Sequence, residues 1–253
     1  MRQFKAFTKK EFTDQFRSGK LFILGAVFIF FGIMSPALAK LMPKLLEMIS
    51  AEDAGYVVTM TKEVTAADSF DQFFKNISTC LILFVILESG IFTKEYSSGT
   101  LLLSLTRGLE RRKVIISKTF VLAAVWTVCY WLCFGVTLGY SAYFWDISAV
   151  PDVMTAALLW WIYGLWFTAV VVFFSVLMRT ATAVLACTGA VYLGYTLLGM
   201  IPRLGEYLPA HLASSQKLIH AEGYTFTAAL IAAAVTGVLL IAASVPVFDR
   251  KSI

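Results

Sequence analysis

Six stretches of the chain run apolar for about twenty residues or more with almost no charge: Leu21–Ala39, Phe73–Phe92, Lys118–Phe144, Met154–Leu177, Ala181–Ile201 and Thr227–Val247. Twenty residues of α-helix rise about 30 Å, the thickness of a bilayer's hydrocarbon, so each stretch predicts a transmembrane helix. The third is longer than crossing requires and predicts tilt or projection beyond the membrane. The pattern as a whole predicts an all-α polytopic membrane protein, with a single transmembrane domain over residues 1–253. Residues 1–20 precede the first span, 40–72 form a long loop, 93–117 join spans two and three, and 202–226 join spans five and six.

Composition agrees with lipid as the main solvent. Hydrophobic residues make up 59% of the chain, charged residues only 15%, and mean hydropathy is +0.78. A soluble domain carries about 25% charged residues, so this chain has too little polar surface to cover a globule. Aromatic residues are plentiful. Tyr140, Tyr143, Phe144 and Trp145 close the third span as an interfacial belt, whereas Trp160, Trp161 and Trp166 lie deeper in the fourth, where rings fill a bundle.

The net charge of +5 follows topology and gives no sign of a nucleic-acid partner. Arg2, Lys5, Lys9, Lys10, Arg17 and Lys20 precede the first span. Lys94, Arg107, Arg111, Arg112, Lys113 and Lys118 lie between spans two and three, Arg179 follows span four, and Arg250 and Lys251 end the chain. The intervening connections are poorer in basic residues: 40–71 sets three lysines against six carboxylates, and the loop after span three offers only Asp146 and Asp152. Basic loops stay in the cytoplasm, so both termini are expected there, in the plasma membrane. Ala37-Leu38-Ala39 resembles a signal-peptide cleavage site, but Glu11 and Asp14 upstream and the length of the apolar run argue for a retained span.

Several chemistries lack their residues. The only Gly-Lys pair, Gly19-Lys20, has Asp14 where a phosphate loop needs its first glycine. No H-E-x-x-H or G-x-S-x-G occurs, and a metal site at His211 and His220, nine residues apart, would need further ligands that the local sequence does not supply. Cys80, Cys129, Cys133 and Cys187 all fall in apolar runs as small buried residues. The expectation is a chain with no catalytic, metal or cofactor site of its own.

The connection from Thr93 to Lys118 is more informative. Gly99-Thr100 marks a break or close approach, the leucines at 101–103 and 105 make a short apolar turn, and Arg107-Gly108 breaks the chain again. Arg111, Arg112 and Lys113 then open the next helix. A short surface helix between two breaks makes a lever against a soluble partner; the plainer alternative is a basic loop without one.

The run Glu95-x-x-x-Gly99-Thr100, the leucines, Arg107, Arg111 and Lys118 resembles the permease subunits of ABC-2 type transporters. In that family a Glu-x-x-x-Gly-Thr turn precedes a leucine-rich coupling helix, a Pro-x-Ser-Arg turn and a lysine opening span three. This chain departs at Gly108 and Glu110, where the family usually has Pro and Ser or Thr. Lys10, Glu11 and Arg17 resemble the family's amphipathic elbow helix over residues 1–20. On a helical wheel Phe4, Phe7, Phe12 and Phe16 share one half, but Glu11 and Gln15 fall there too.

The resemblance implies an ABC-2 exporter-like fold and a translocation path formed by two permease copies, identical or related. It also implies separate ATP-binding cassette subunits that carry ATP and Mg and dock on Glu95, Gly99, Thr100, Arg107, Arg111 and Lys118. Glu88, an intramembrane carboxylate near the end of span two, precedes Glu95 by seven residues, so both are expected near one helix face. A buried charge there needs a partner, from the elbow or Arg179, unless it serves substrate or protons. The rival functions are an integral-membrane enzyme and an ion-coupled transporter or channel.

The orientation is tested by cysteine labelling in intact cells. Probes at Asp53, Asp146 or Glu222 are expected to react from outside, and probes at Ser98 or Ser252 only after permeabilisation; outside labelling at Ser98 overturns the orientation.

Overall fold

The structure, a computed structural model, describes residues 2–52, 64–100, 106, 110–201, 203–221 and 223–250. Among them the chain forms eight α-helices and no strand: α1 (Arg2–Arg17), α2 (Lys20–Glu52), α3 (Ala66–Glu88), α4 (Thr93–Ser98), α5 (Arg111–Phe144), α6 (Val153–Leu177), α7 (Ala181–Gly199) and α8 (Thr227–Arg250). Six of these, α2, α3 and α5 to α8, are long and apolar enough to cross a membrane.

Several ends fall elsewhere than hydropathy suggests, each for a local reason. α2 continues to Glu52, through part of the expected 40–72 loop. Lys40 and Lys44 end the apolar run without ending the helix, because a helix leaving hydrocarbon tolerates charge; its 33 residues span about 50 Å. α3 starts at Ala66 because Thr65 and Asp68 form a capping box, with the Thr65 backbone N–H donating to Asp68 Oδ2 at 2.8 Å. It stops at Glu88, where the span was expected to run on to Phe92, and a turn over 89–92 leads into α4. α5 begins at Arg111, a full two turns before Lys118.

α3, α5 and α6 form the centre, and an aromatic column on α5 fills it. Trp126 meets Phe28 of α2, Phe84 of α3 and Trp160 of α6 with ring centroids 6.0, 5.4 and 6.5 Å apart. Phe73 sits against Tyr130 and Phe134 at 5.9 and 5.5 Å. The deep tryptophans of the fourth span therefore do pack the bundle, whereas Tyr143 at the far rim is 81% exposed. α7 stands apart: Val184 and Thr188 are its buried residues. The segment 209–220 folds as a 3₁₀-helix at the far end, and Pro209, Leu212 and Ser215, three residues apart as a 3₁₀-helix requires, line its buried side with Ile219.

Hydrocarbon offers no hydrogen bonds, so polar groups inside must find partners in the protein. Pro36 within α2 has no N–H to give the Gly32 carbonyl, and Thr137 of α5 supplies the missing donor at 3.1 Å. Ser69 and Ser141 pair at 2.8 Å, the Tyr130 hydroxyl donates to the Ala157 carbonyl at 2.7 Å, and Ser215 donates to Ala156 at 2.8 Å. All four cysteines are free thiols.

α5 and α6 pack tightly at Gly164. A Cβ on Gly164 would lie 2.1 Å from Cε2 of the Trp126 indole, so only glycine admits that ring. Gly164→Ala is expected to cost about 1–3 kcal/mol through overpacking. Adding Trp126→Phe, which removes the obstructing atoms, should lessen the further loss caused by the alanine, measured by thermal melting of the purified protein. An unchanged melting temperature in the single variant contradicts this packing.

Candidate functional site

The chemistry gathers at one end of the bundle, where α1 lies against α4 and α5. α1 carries Arg17 in its last turn, complementing the helix dipole. The chain then reverses at Gly19, whose φ of +72° is open to glycine with little strain, and α2 begins. Along α1, Phe7, Glu11 and Gln15 recur every four residues and are buried, at 7%, 6% and 6% exposure. Phe16, on the half of the wheel expected to pack, is 50% exposed. The two polar residues that spoil the helical wheel are therefore the ones the helix uses for packing.

Glu11 meets Lys118, which lies 1% exposed at the start of the third turn of α5. The Lys118 ammonium sits 2.7 Å from Glu11 Oε2 and 3.0 Å from Glu95 Oε2, and it donates to the Ile91 carbonyl at 3.0 Å. An ammonium has three N–H groups, and three acceptors surround this one. Lys10 closes the ring from the water side, 2.5 Å from Glu95 Oε1, 3.2 Å from Glu11 Oε1 and 3.5 Å from Asp14 Oδ2. Charges thus alternate Lys118, Glu11, Lys10, Glu95 across three helices. Burial opposes the Lys10 charge, but Glu95 and Glu11 outweigh that effect and hold its pKa above the ordinary lysine range. The Phe7 and Phe92 rings flank Lys118 at 5.8 and 5.3 Å, and a Thr8–Ser117 hydrogen bond of 2.8 Å ties α1 to α5 nearby.

Glu88 is fully buried and paired. Its Oε2 accepts from Lys20 Nζ at 3.2 Å and from Gln15 Nε2 at 2.8 Å. Lys20 opens α2 immediately after the elbow helix, while Arg179, the other candidate, lies exposed. Glu88 and Glu95 do not share a continuous helix face, because α3 stops at Glu88 and the chain turns before α4. Each carboxylate instead anchors its own cluster. A cavity of about 140 Å³ lies between the clusters, lined by Glu11, Gln15, Lys20, Gly90, Glu95 and Lys118.

The remaining expected residues are spread along the same end. Gly99 caps α4 with a φ of +66°, and nothing within 4 Å would meet a Cβ there, so its need is conformational and not a close approach within this chain. Thr100 is exposed. The Arg111 guanidinium turns inward, donating to the Phe248 and Asp249 carbonyls at 2.5 and 3.0 Å. It thereby caps the C-terminus of α8 and fixes the last span to the start of α5. Arg107, the leucines at 101–103 and 105, and Gly108 lie outside the described residues.

The end at which these helices meet thus comprises the N-terminal helix α1, a left-handed glycine turn and a buried lysine at the base of the third long helix. The family model described as ABC-2 family transporter protein matches residues 6–253. The chain belongs to the ABC-2 transporter family. No curated protein matches it. As an ABC-2 permease the chain is a multi-pass, membrane-spanning transport component, and membership implies an ATP-binding cassette subunit as its partner.

Sequence reasoning singled out Lys10, Glu11, Glu95 and Lys118 separately but had no signal that joined them. Gln15 was missed as a partner of Glu88, whereas Lys20 falls within residues 1–20, where a basic partner from the elbow was expected. The signal for Gln15 was its place beside Glu11 on the apolar half of the wheel.

Removing one member of a buried ionic cluster strands the others, at a cost of about 3–5 kcal/mol, whereas removing both members of a pair is far cheaper. Lys118→Met is expected to lower the melting temperature and open α1 to proteolysis. Lys118→Met combined with Glu11→Gln should lose less than the two single changes added together. Additive losses would show that these side chains do not interact.

Proposed function

We propose that this ABC-2 permease is the membrane-spanning half of an ATP-driven exporter in the plasma membrane, working as a dimer with both termini in the cytoplasm. The observation that carries the reading is the Lys118–Glu11–Lys10–Glu95 ring, buried at Lys118 and Glu11, which joins the elbow, α4 and the base of α5 into one unit. Separate ATP-binding cassette subunits, carrying ATP and Mg, dock on the 93–117 segment and the elbow. Their closure on ATP pushes this unit, and because α5 is continuous from Arg111 to Phe144 the push reaches the far side of the membrane. Through Arg111 the same push reaches α8. The ATP-bound and ATP-free partners supply the differential contacts that a shift between inward- and outward-facing states requires.

An ion-coupled mechanism would use an intramembrane ionisable group free to change partners, and Glu88 is held by both Lys20 and Gln15. The basic character of 1–20, 93–118 and the Arg179 connection supports the orientation.

Gly99 tests the docking surface without disturbing the bundle. Gly99→Val forces a β-branched residue into a left-handed turn with open space around it, so the strain falls on α4 and the segment after it. The expected outcome is reduced co-purification of the ATPase subunit, or loss of its stimulation by substrate, with an unchanged melting temperature. Full docking and transport in this variant would remove the coupling role of the segment. Failure of the unmodified chain to co-purify any ATPase would remove the proposal as a whole.

A further inference from the structure

At the end of the bundle opposite the elbow, a cavity of about 320 Å³ opens between α6, α7 and the 205–214 segment. Its volume falls at the lower end of the range for small-molecule pockets. The walls are aromatic and hydroxylated: Tyr163 from α6, Tyr192, Tyr195 and Thr196 from α7, and His211 and Ser214 from the 3₁₀-helix. No Lys, Arg, Asp or Glu lines it.

Two features make this more than a packing gap. His211 Nε2 is buried with no hydrogen-bond partner among the described residues, and beside it the hydroxyls of Tyr163, Tyr192, Tyr195 and Ser214 make no hydrogen bond to any described residue. A buried polar atom is ordinarily satisfied, as the Tyr130 hydroxyl is by the Ala157 carbonyl, so the unpartnered His211 nitrogen points to a ligand. The tyrosine rings are also held in place. Tyr163 stacks on Trp166 at 5.9 Å and 18°, and Tyr195 meets the same indole edge-on at 5.2 Å. These contacts fix the tyrosine rings, so their hydroxyls are held in place at the cavity.

Charge is excluded at this cavity. His211 is stacked on Phe226 at 4.9 Å, and burial lowers its pKa, which favours the neutral ring. Glu206 and Lys217 act on His211 in opposite senses. A charged ligand would enter without a counter-charge from the lining and would carry the full cost of burial. Hydroxyl groups, in contrast, both donate and accept, and they match a lining of phenols, Ser and Thr in either sense.

We propose that this cavity binds a neutral, hydroxyl-rich ring of hexose size, either as a free sugar or as the headgroup of a membrane glycolipid. The site belongs to a single chain, and its occupancy does not depend on the ATPase partner.

The full chain in phosphatidylcholine nanodiscs, which contain no sugar headgroup, is titrated with octyl β-glucoside below its micellar concentration, with glucose, and with octyl glucuronide. Binding is read by calorimetry and by Trp fluorescence, to which Trp166 reports. Saturable binding of the glucoside is expected, with the glucuronide at least tenfold weaker. Equal binding of glucose and glucoside assigns a free sugar, and binding of the glucoside alone assigns a lipid headgroup; either outcome supports the proposal. Tyr163→Phe and Tyr195→Phe, which keep the rings, should each weaken binding about three- to tenfold with an unchanged melting temperature. No saturable binding of glucose or glucoside, glucuronide binding as tight as glucoside, or wild-type affinity in both variants overturns the proposal.

Discussion

A lysine ammonium withdrawn from water at the membrane face is the constraint on which the rest of this end of the molecule depends. Lys118 is 1% exposed, and the desolvation of such a charge costs several kcal/mol unless carboxylates and carbonyls surround it. No single neighbouring element supplies enough of them. Glu11 comes from α1, Glu95 from α4 and the Ile91 carbonyl from the turn between α3 and α4. Satisfying one ion therefore fixes the position of three elements that hydrophobic burial alone would leave free to slide. Surface ion pairs contribute little of this kind, because water and salt compete for each partner.

The same logic extends inward with neutral groups. The Pro36 position removes a donor from α2 and Thr137 restores one from α5, so a break in one helix becomes a link between two. Gly164 makes room for Trp126, and that indole in turn touches α2, α3 and α6. The central helices α3, α5 and α6 are thus specified by shape and by directed hydrogen bonds. α7 is specified by neither, and the cavity that it borders at the far end reflects that looser packing.

Hydropathy made the six spans legible because the physical demand behind it is simple: about twenty apolar residues per crossing. Helix ends were less legible. The capping box at Thr65 and the continuation of α2 past Lys40 depend on local hydrogen bonds and on helix tolerance of charge, which hydropathy averages away. At the site, individual residues were visible but their partnerships were not. Glu11 and Gln15 looked like flaws in an amphipathic elbow because the wheel assumes that a buried face is apolar. Their partners Lys118 and Glu88 lie on other helices, far away in sequence. Arg111 read as a surface charge because its acceptors are backbone carbonyls of α8, which no pattern of side chains announces.

The central claim is that the elbow, α4 and the base of α5 move as one body when the partner subunits bind ATP. Pulsed electron spin resonance distances between labels at Thr13 and Arg112, both exposed, test it in the membrane-embedded complex with and without trapped ATP. The account predicts an unchanged Thr13–Arg112 distance within one chain, while the distance between Thr13 labels on the two permease copies changes. A Thr13–Arg112 distance that shifts or broadens on ATP trapping would contradict it, because the charged ring would then be parting during the stroke.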